Sequence, residues 1–327
     1  MAKPTMRDGI TDSVLELVGN TPLARLNSVT QGLDCEVLAK LEYMNPSGSI
    51  KDRMALWMVE AAEKRGLLKP GYKIIEASTG NTGIALSFVA AAKGYEMIVF
   101  MPKAVASPER RKMMESYGAQ IRLIETADLD PSLDPSVHGG VIEIIPRMSC
   151  RDLEACSPDV WWARQFSNPD NVAAHRETTG KEILKQTNDC VDAFVASIGT
   201  GGTLMGVAQA LKEVNPKAKI IAVEPAGAPW IGGGRESIPM IEGITDGLLL
   251  DILDQEVADE VIPVTDKDAI DMAHQLAEKE GLFCGMSGGA NVFAALQVAE
   301  RLGTGKTTVA ILTDSRDRYL SLERYIT

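Results

Sequence analysis

A lysine that opens a helix is a candidate reactive amine. Lys51 follows the turn formers Asn45-Pro-Ser-Gly-Ser-Ile and leads into a helical pattern beginning near Asp52. The positive end of a helix dipole lowers an amine's pKa, leaving more free base to form an imine with an aldehyde. Most lysines are solvated surface charges, and this segment alone does not separate the two readings.

Three further stretches carry hydroxyls, amides and bare backbone N–H groups at strand-to-helix junctions. Glu76-Ala-Ser-Thr-Gly-Asn-Thr-Gly83 has the make-up of a carboxylate receptor at a helix N-terminus, or of a plain turn with Ser or Thr caps. Gly199-Thr-Gly-Gly-Thr203 follows a strand and opens a helix, so its amides and hydroxyls can wrap a phosphate without any cation. A dinucleotide fingerprint is the rival there, with Glu224 in the place of its ribose-binding acid. It fails because Leu204 stands where the third glycine must be. Gly285-Met-Ser287-Gly-Gly-Ala290 precedes a helical pattern from about Ala290 to Leu302, with Ser287 as an N-cap candidate.

Elements of alternating type must position these stretches. Apolar runs Lys73–Glu76, Met97–Phe100 and Ile121–Ile124 alternate with helical patterns over Thr82–Lys93 and Ser107–Tyr117. The rhythm returns with Ala193–Ser197, a helix over Leu204–Val214, Ile220–Glu224 and Thr308–Leu312. This is βαβ order, so parallel sheets and an α/β fold in two lobes are expected. Ala127 to Ser157 is the least regular stretch. Its Asp-Leu-Asp-Pro-Ser-Leu-Asp-Pro-Ser run and Gly139-Gly140 read as a surface insertion followed by the passage between lobes.

A chain of 327 residues with 45% apolar and 24% charged residues can bury a sizeable core. Its 45 acidic against 33 basic residues, net charge −12, argue against a nucleic-acid partner. The five scattered cysteines lack zinc-site spacing and read as reduced cytosolic thiols. No stretch has the apolar length of a membrane span, and a cytoplasmic protein is expected.

Taken in order and spacing, these segments resemble those of the cysteine synthase (O-acetylserine sulfhydrylase) and cystathionine β-synthase group of fold-type II pyridoxal 5'-phosphate (PLP) enzymes. The likeness extends to Val18-Gly-Asn-Thr-Pro-Leu23, Ser107-Pro-Glu-Arg-Arg-Lys112, Gln165-Phe-Ser-Asn-Pro169 and Asp317-Arg-Tyr-Leu-Ser321.

The resemblance implies a two-lobed, tryptophan synthase β-like fold, each lobe a mainly parallel sheet flanked by helices. Residues 1–44 plus 156–327 would form the large cofactor-binding lobe and 45–155 a small mobile lobe. It implies that Lys51 holds PLP as a Schiff base and moves the proton at the substrate Cα. Asn81 would bond the ring hydroxyl, Gly199, Thr200, Gly201, Gly202 and Thr203 the phosphate, and Ser287 the pyridine nitrogen. Ser78, Thr79, Gly80 and Thr82 with Gln165 would hold the substrate carboxylate. A neutral serine at the ring nitrogen makes a milder electron sink than aspartate, which suits loss of a β-leaving group over transamination.

The implied activity is that of a transferase in cysteine biosynthesis, working in a homodimer on a small amino acid and a nucleophile. It replaces the β-substituent of an O-acetylserine-like donor through an aminoacrylate, giving cysteine or another β-substituted alanine. The alternatives are a PLP-dependent lyase or dehydratase acting on cysteine or serine, and a PLP-fold protein kept for binding a partner. Two departures stand out. Ala77-Ser-Thr79 replaces the more usual Pro-Thr-Ser, and Glu242-Gly-Ile-Thr-Asp246-Gly247 puts bulk and negative charge where the group carries a Gly/Ala-rich turn, with Asp246 a candidate substrate contact.

Overall fold

The computed structural model describes residues 10–103, 106–125, 139–227 and 252–321. In chain order the strands are β1 (Leu23–Arg25), β2 (Glu36–Leu41), β3 (Lys73–Ala77), β4 (Glu96–Pro102), β5 (Gln120–Ile124), β6 (Val160–Trp162), β7 (Ala193–Ser197), β8 (Lys219–Pro225), β9 (Glu260–Val264) and β10 (Thr307–Leu312). The helices are α1 (Lys51–Lys64), α2 (Asn81–Lys93), α3 (Pro108–Ser116), α4 (Gly139–Cys156), α5 (Pro169–Ala174), α6 (Lys181–Thr187), α7 (Gly202–Val214), α8 (Asp266–Gln275) and α9 (Met286–Leu302).

The strands form two sheets, a six-stranded one in the order β1-β2-β10-β7-β8-β9 and a four-stranded one in the order β5-β4-β3-β6. Every pairing is parallel except that of β1 with β2. Parallel strands are buried on both faces, which is why β4, β7, β8 and β10 read as mainly apolar runs. On the larger sheet Ala290, Ala294 and Val298 of α9 cover one face, and Ile183 of α6 with Leu204 and Leu211 of α7 cover the other. On the smaller sheet Met54 and Met58 of α1 pack with Leu86 and Val89 of α2, while Cys150 of α4 packs against Ile75 and Ile98.

The α/β class and two-sheet architecture match the sequence reading. The four-stranded sheet includes β6, so its strands continue past residue 155.

Two local readings are corrected. The stretch before Ser157 is not irregular throughout, because α4 occupies Gly139–Cys156 with Pro146 inside it. Its apolar residues, among them Ile145, Cys150 and Leu153, recur at helical spacing, and Gly139-Gly140 and Pro146 masked that period. Ser287 does not cap α9, which starts at Met286 with Gly285 as its N-cap. The insertion itself, Ala127 to Gly140, lies almost entirely outside the described residues.

Parallel sheets place their binding loops at the carboxyl ends of the strands. β3 ends at Ala77 and feeds Ser78–Gly80 into α2; β7 ends at Ser197 and feeds Gly199–Gly201 into α7; β10 ends at Leu312, beside Asp314. The Lys51 loop is stitched to that last end. Ile50 N donates to Thr313 O at 2.9 Å, Ser49 forms a bridge with Asp314, and Ser315 N donates to Gly48 O at 3.3 Å.

Candidate active site

Lys51 is the first residue of α1, and the turn before it is fixed from several sides. Asp52 reaches back to accept from Ser47 N at 2.6 Å and from the Ser47 hydroxyl. Gly48 adopts φ +88°, and a Cβ there would sit 2.3 Å from an Arg318 guanidinium nitrogen, so the turn needs glycine twice over. Among the described residues the Lys51 Nζ has no hydrogen-bond or ion-pair partner. Burial pushes the amine down to about 8, opposed by the Asp314 carboxylate.

The Ser78–Gly83 turn is capped from within. Ser78 Oγ accepts from Gly80 N at 3.2 Å and Gly83 N at 3.0 Å, although Gly80 is the formal N-cap of α2 and provides no side chain. Thr82 Oγ1 donates to Gln165 Oε1 at 2.6 Å, and Gln165 Nε2 donates to Ala77 O at 3.0 Å. Buried Glu76 holds this pair in place by accepting from Gln165 N at 2.9 Å, Trp162 Nε1 at 2.9 Å and Ala77 N at 2.8 Å. Asn81 opens α2, donates to Asp314 Oδ2 at 2.6 Å and accepts from Arg318. Thr79 and Gly80 stay partly exposed in the same turn.

In the Gly199–Thr203 loop, Gly201 takes φ +86° as the N-cap of α7, and the amides of Gly199, Thr200, Gly201 and Thr203 have no acceptor among the described residues. Asn171 braces the loop from behind, its Nδ2 donating to Thr200 Oγ1 at 3.0 Å and to Gln165 O at 2.9 Å. A Cβ on Gly202 would lie 2.1 Å from Asn171 Oδ1, so any side chain there would displace the Asn171 amide from the loop. Ser287, buried in the first turn of α9, has no hydrogen-bond partner for its hydroxyl among the described residues.

These contacts bring the expected residues to one place. Asp314 joins the Lys51 loop, Asn81 and, through Gly285 N at 2.9 Å, the Ser287 turn. Asn171 and Gln165 join the Ser78–Thr82 turn to the Gly199–Thr203 loop. Asp246 and the rest of Glu242 to Gly247 lie outside the described residues.

Several contributors were not read from the sequence. His175, in a π-helical turn (His175–Gly180) between α5 and α6, lies with Nε2 3.3 Å from Thr203 Oγ1 and Nδ1 3.0 Å from Thr179 Oγ1. Burial first, then the charges of Lys51 and Arg53, hold it well below its ordinary pKa, so a neutral ring donates at one nitrogen and accepts at the other. Arg53, two residues after Lys51, is chelated by Glu42 at 2.7 and 2.8 Å and by Glu182 at 2.7 Å from each of two nitrogens. Lys40 Nζ adds a 2.8 Å bond to Glu182, and Thr21 Oγ1 a 2.7 Å bond to Glu42. Thr21 therefore gives the Val18-Gly-Asn-Thr-Pro-Leu23 motif a structural task. The only signal for this cluster was the presence of charged residues within otherwise apolar elements.

The donor set fits PLP. It supplies a desolvated amine at Lys51, the Asn81 amide held on Asp314 and, among the described residues, the unpartnered Ser287 hydroxyl and a cup of unclaimed N–H groups that needs no cation. Among the described residues no group of three or more His, Cys, Asp or Glu could hold a metal ion, and no helix is long and apolar enough to cross a membrane.

The model of the family described as "Pyridoxal-phosphate dependent enzyme" matches residues 14–314. A cysteine synthase of Staphylococcus aureus is 38% identical over 315 residues, 96% of this chain and 97% of that protein. The crystal structure of a cysteine synthase (OASS) of Entamoeba histolytica is similar with a TM-score of 0.89 at 38% identity, over 100% of this chain and 94% of that one. An O-ureido-L-serine synthase structure gives 0.84 at 37% identity, over 95% and 94% of the two chains.

Proposed function

Because this chain belongs to the pyridoxal-phosphate dependent enzyme family, we propose that it exchanges the β-substituent of an O-acetylserine-like donor for a nucleophile such as sulfide, giving cysteine or a related β-substituted alanine. The observation that carries this reading is the Lys51 amine, without a partner among the described residues at the start of α1 and lowered to about 8 by burial. The cysteine synthase and O-ureido-L-serine synthase relatives support the reaction class, since the product named for each is a β-substituted alanine.

In this reading Lys51 Nζ holds PLP covalently and, once displaced by the substrate amine, takes and returns the proton at the substrate Cα. PLP, when bound, supplies the electron sink that lets the β-substituent leave. Ser78, Thr79, Gly80 and Thr82 with Gln165 receive the substrate carboxylate at the helix N-terminus. Asn81 would hold the ring hydroxyl, Gly199 to Thr203 the phosphate, and Ser287 the ring nitrogen, where its hydroxyl carries no charge. His175 sets the rotamer of the Thr203 hydroxyl.

Residues 45–155 are proposed as a small lobe that closes over the bound amino acid. The four-stranded sheet with α1 to α4 is the support, and β6 extends it to Trp162. Scattering profiles that stay identical with and without a substrate analogue would count against closure. A homodimer is proposed on the family resemblance alone, and a cytoplasmic location on five thiols that form no disulfide. Light scattering and cell fractionation test these two points.

To test the activity, the purified holoenzyme is mixed in turn with O-acetylserine, O-phosphoserine, serine and cysteine while the cofactor's visible absorbance is followed. O-Acetylserine is expected to change the spectrum, and sulfide to reverse it with release of cysteine. O-Phosphoserine is expected to be the poorer donor, because the family resemblance would set the acidic Glu242-to-Gly247 segment near the site mouth, whereas a dianionic leaving group calls for a fixed cationic fork. A preference for O-phosphoserine defeats the donor assignment, and pyruvate without replacement product defeats β-replacement.

A further inference from the structure

Asp314 follows β10 by two residues and touches three of the proposed cofactor-binding segments at once. Its backbone pairs with Ser49, two residues before Lys51, and its carbonyl accepts from Gly285 N at 2.9 Å, two residues before Ser287. Its Oδ2 accepts from Asn81 Nδ2 at 2.6 Å and from the Tyr319 hydroxyl. The other oxygen, Oδ1, is buried without a partner among the described residues, 2.2 Å from where a Cβ on Gly285 would stand.

The Asn81 amide is constrained at both ends. Arg318 Nη1 occupies its oxygen, and one of its two amide hydrogens points to Asp314. One N–H is what remains, so Asn81 meets a neighbour as a donor. A donor suits an ionised phenolic oxygen and disfavours a protonated one.

We infer that Asp314 is a positioning residue for the reaction, fixing the Asn81 amide as a donor toward the cofactor and holding the Lys51 and Ser287 turns in register with it. The groups facing Asp314 are Lys51 on α1, Arg110 on α3, Cys284 ahead of α9, and Arg318 and Tyr319 after β10. Arg110 also braces Tyr319, its guanidinium carbon 5.5 Å from the ring centre. Burial raises the Asp314 carboxyl, and Arg318, then the Tyr319 and Asn81 hydrogen bonds, then Arg110 offset this only in part, so that it stays above its ordinary value. Asp314 in turn raises the Lys51 amine against its own desolvation.

The inference rests on the PLP reading of the site, and the test separates the two. Holoenzymes of wild type, Asp314→Asn, Asn81→Ala and the double variant are compared for PLP dissociation constant by equilibrium dialysis, for the pH midpoint of the cofactor's visible absorbance, and for thermal midpoint. Each single substitution is expected to weaken PLP about tenfold, and the double variant no further than the weaker single, because the two side chains act as one unit. In Asp314→Asn the absorbance midpoint falls to lower pH, since a carboxylate facing the Lys51 nitrogen no longer favours its proton. If Asp314→Asn does not fold, Tyr319→Phe, which strips one donor from Oδ2, should move the midpoint the same way by less. A protein that takes no PLP defeats the cofactor reading. One that takes PLP with additive losses and an unmoved midpoint overturns the role of Asp314.

Discussion

Thr82 Oγ1 donates to Gln165 Oε1 at 2.6 Å, and this bond ties the first turn of α2 to the segment that follows β6. Both side chains are buried, and Gln165 is itself held by the Glu76 carboxylate and the Ala77 carbonyl. The pair is therefore oriented before any substrate arrives. Thr82→Val keeps the shape but leaves Gln165 Oε1 without its donor, a loss of about 1–3 kcal/mol for a buried polar group. We expect KM for the amino-acid donor to rise about tenfold or more with kcat less affected, measured in steady state. Equal KM values in Thr82→Val and wild type would show that the pair does not serve the carboxylate.

For Lys51 the expected signature is chemical as well as kinetic. Lys51→Ala should leave no borohydride-reducible link to PLP and lower kcat by about 10³-fold or more, the usual worth of a positioned acid–base group. The folded pKa lies below the ordinary 10.5, at about 8, because burial penalises the ammonium. Protein stripped of cofactor should thus recapture PLP faster as pH rises through about 8, when the free amine becomes the main form. The same shift makes Lys51 a stability cost below about 8 that is relieved between about 8 and 10.5, where the unfolded chain binds the extra proton. A flat recapture rate over pH 7 to 9 would mean that another group limits the step.

Acid stability should depend on Arg53 and Glu182. Burial would raise the Glu182 carboxyl, but hydrogen bonds and charge from Arg53, then Lys40, hold it down to about 2. A carboxyl whose folded pKa lies below its ordinary 4.5 contributes stability above 4.5 and loses it as pH falls toward 2. Denaturant midpoints taken from pH 6 down to 2.5 should fall in the wild type, and fall less steeply in Glu182→Gln. Arg53→Ala, which leaves Glu42 buried without its chelating partner, is expected to cost about 3–5 kcal/mol at neutral pH. Parallel pH curves for wild type and Glu182→Gln would place the acid-sensitive group elsewhere.

What the sequence could and could not disclose follows from the range of the forces involved. Helix α2 and strands β3, β7 and β10 are marked by local periodicity and by glycine-rich junctions, so their ends were legible to within a residue or two. Lys51, Asn81 and Ser287 stood out because turn chemistry surrounds them. Helix α4 was missed because Gly139-Gly140 and Pro146 are helix-breaking signals that burial of Cys150 and its neighbours overrides. Strands β1 and β2 were missed as well, Lys40 interrupting an apolar run whose charge is met only in three dimensions. Glu182 lies 129 residues from Arg53 and Asp314 lies 233 from Asn81, separations at which no spacing rule operates. His175 likewise becomes part of the site only because α5 ends in a π-helical turn beside α7.

Ser287 provides the sharpest chemical test. It is a buried residue in the first turn of α9, two positions after the N-cap Gly285, and its hydroxyl has no partner among the described residues. Two effects bear on a ring nitrogen placed there. The hydroxyl can donate to a neutral nitrogen, and the positive end of the α9 dipole disfavours a proton on it. Both keep the nitrogen neutral and the electron sink mild, which suits loss of a β-substituent. Ser287→Asp reverses both, since a carboxylate at this position bonds a protonated nitrogen and offsets the dipole. An acid in the first helical turn is otherwise favourable, so the variant should fold and still bind PLP. We expect it to lose most of its donor elimination, by about 10²-fold or more if a matched protonation state contributes as acid–base groups commonly do. Ser287→Ala, which removes the hydroxyl but adds no charge, should lose much less. The measurement is the rate of the cofactor's absorbance change on mixing with O-acetylserine, compared across Ser287→Asp, Ser287→Ala and wild type at matched PLP occupancy. If Ser287→Asp keeps the wild-type rate, the neutral ring nitrogen is not what directs the chemistry, and the Ser287 hydroxyl serves packing alone.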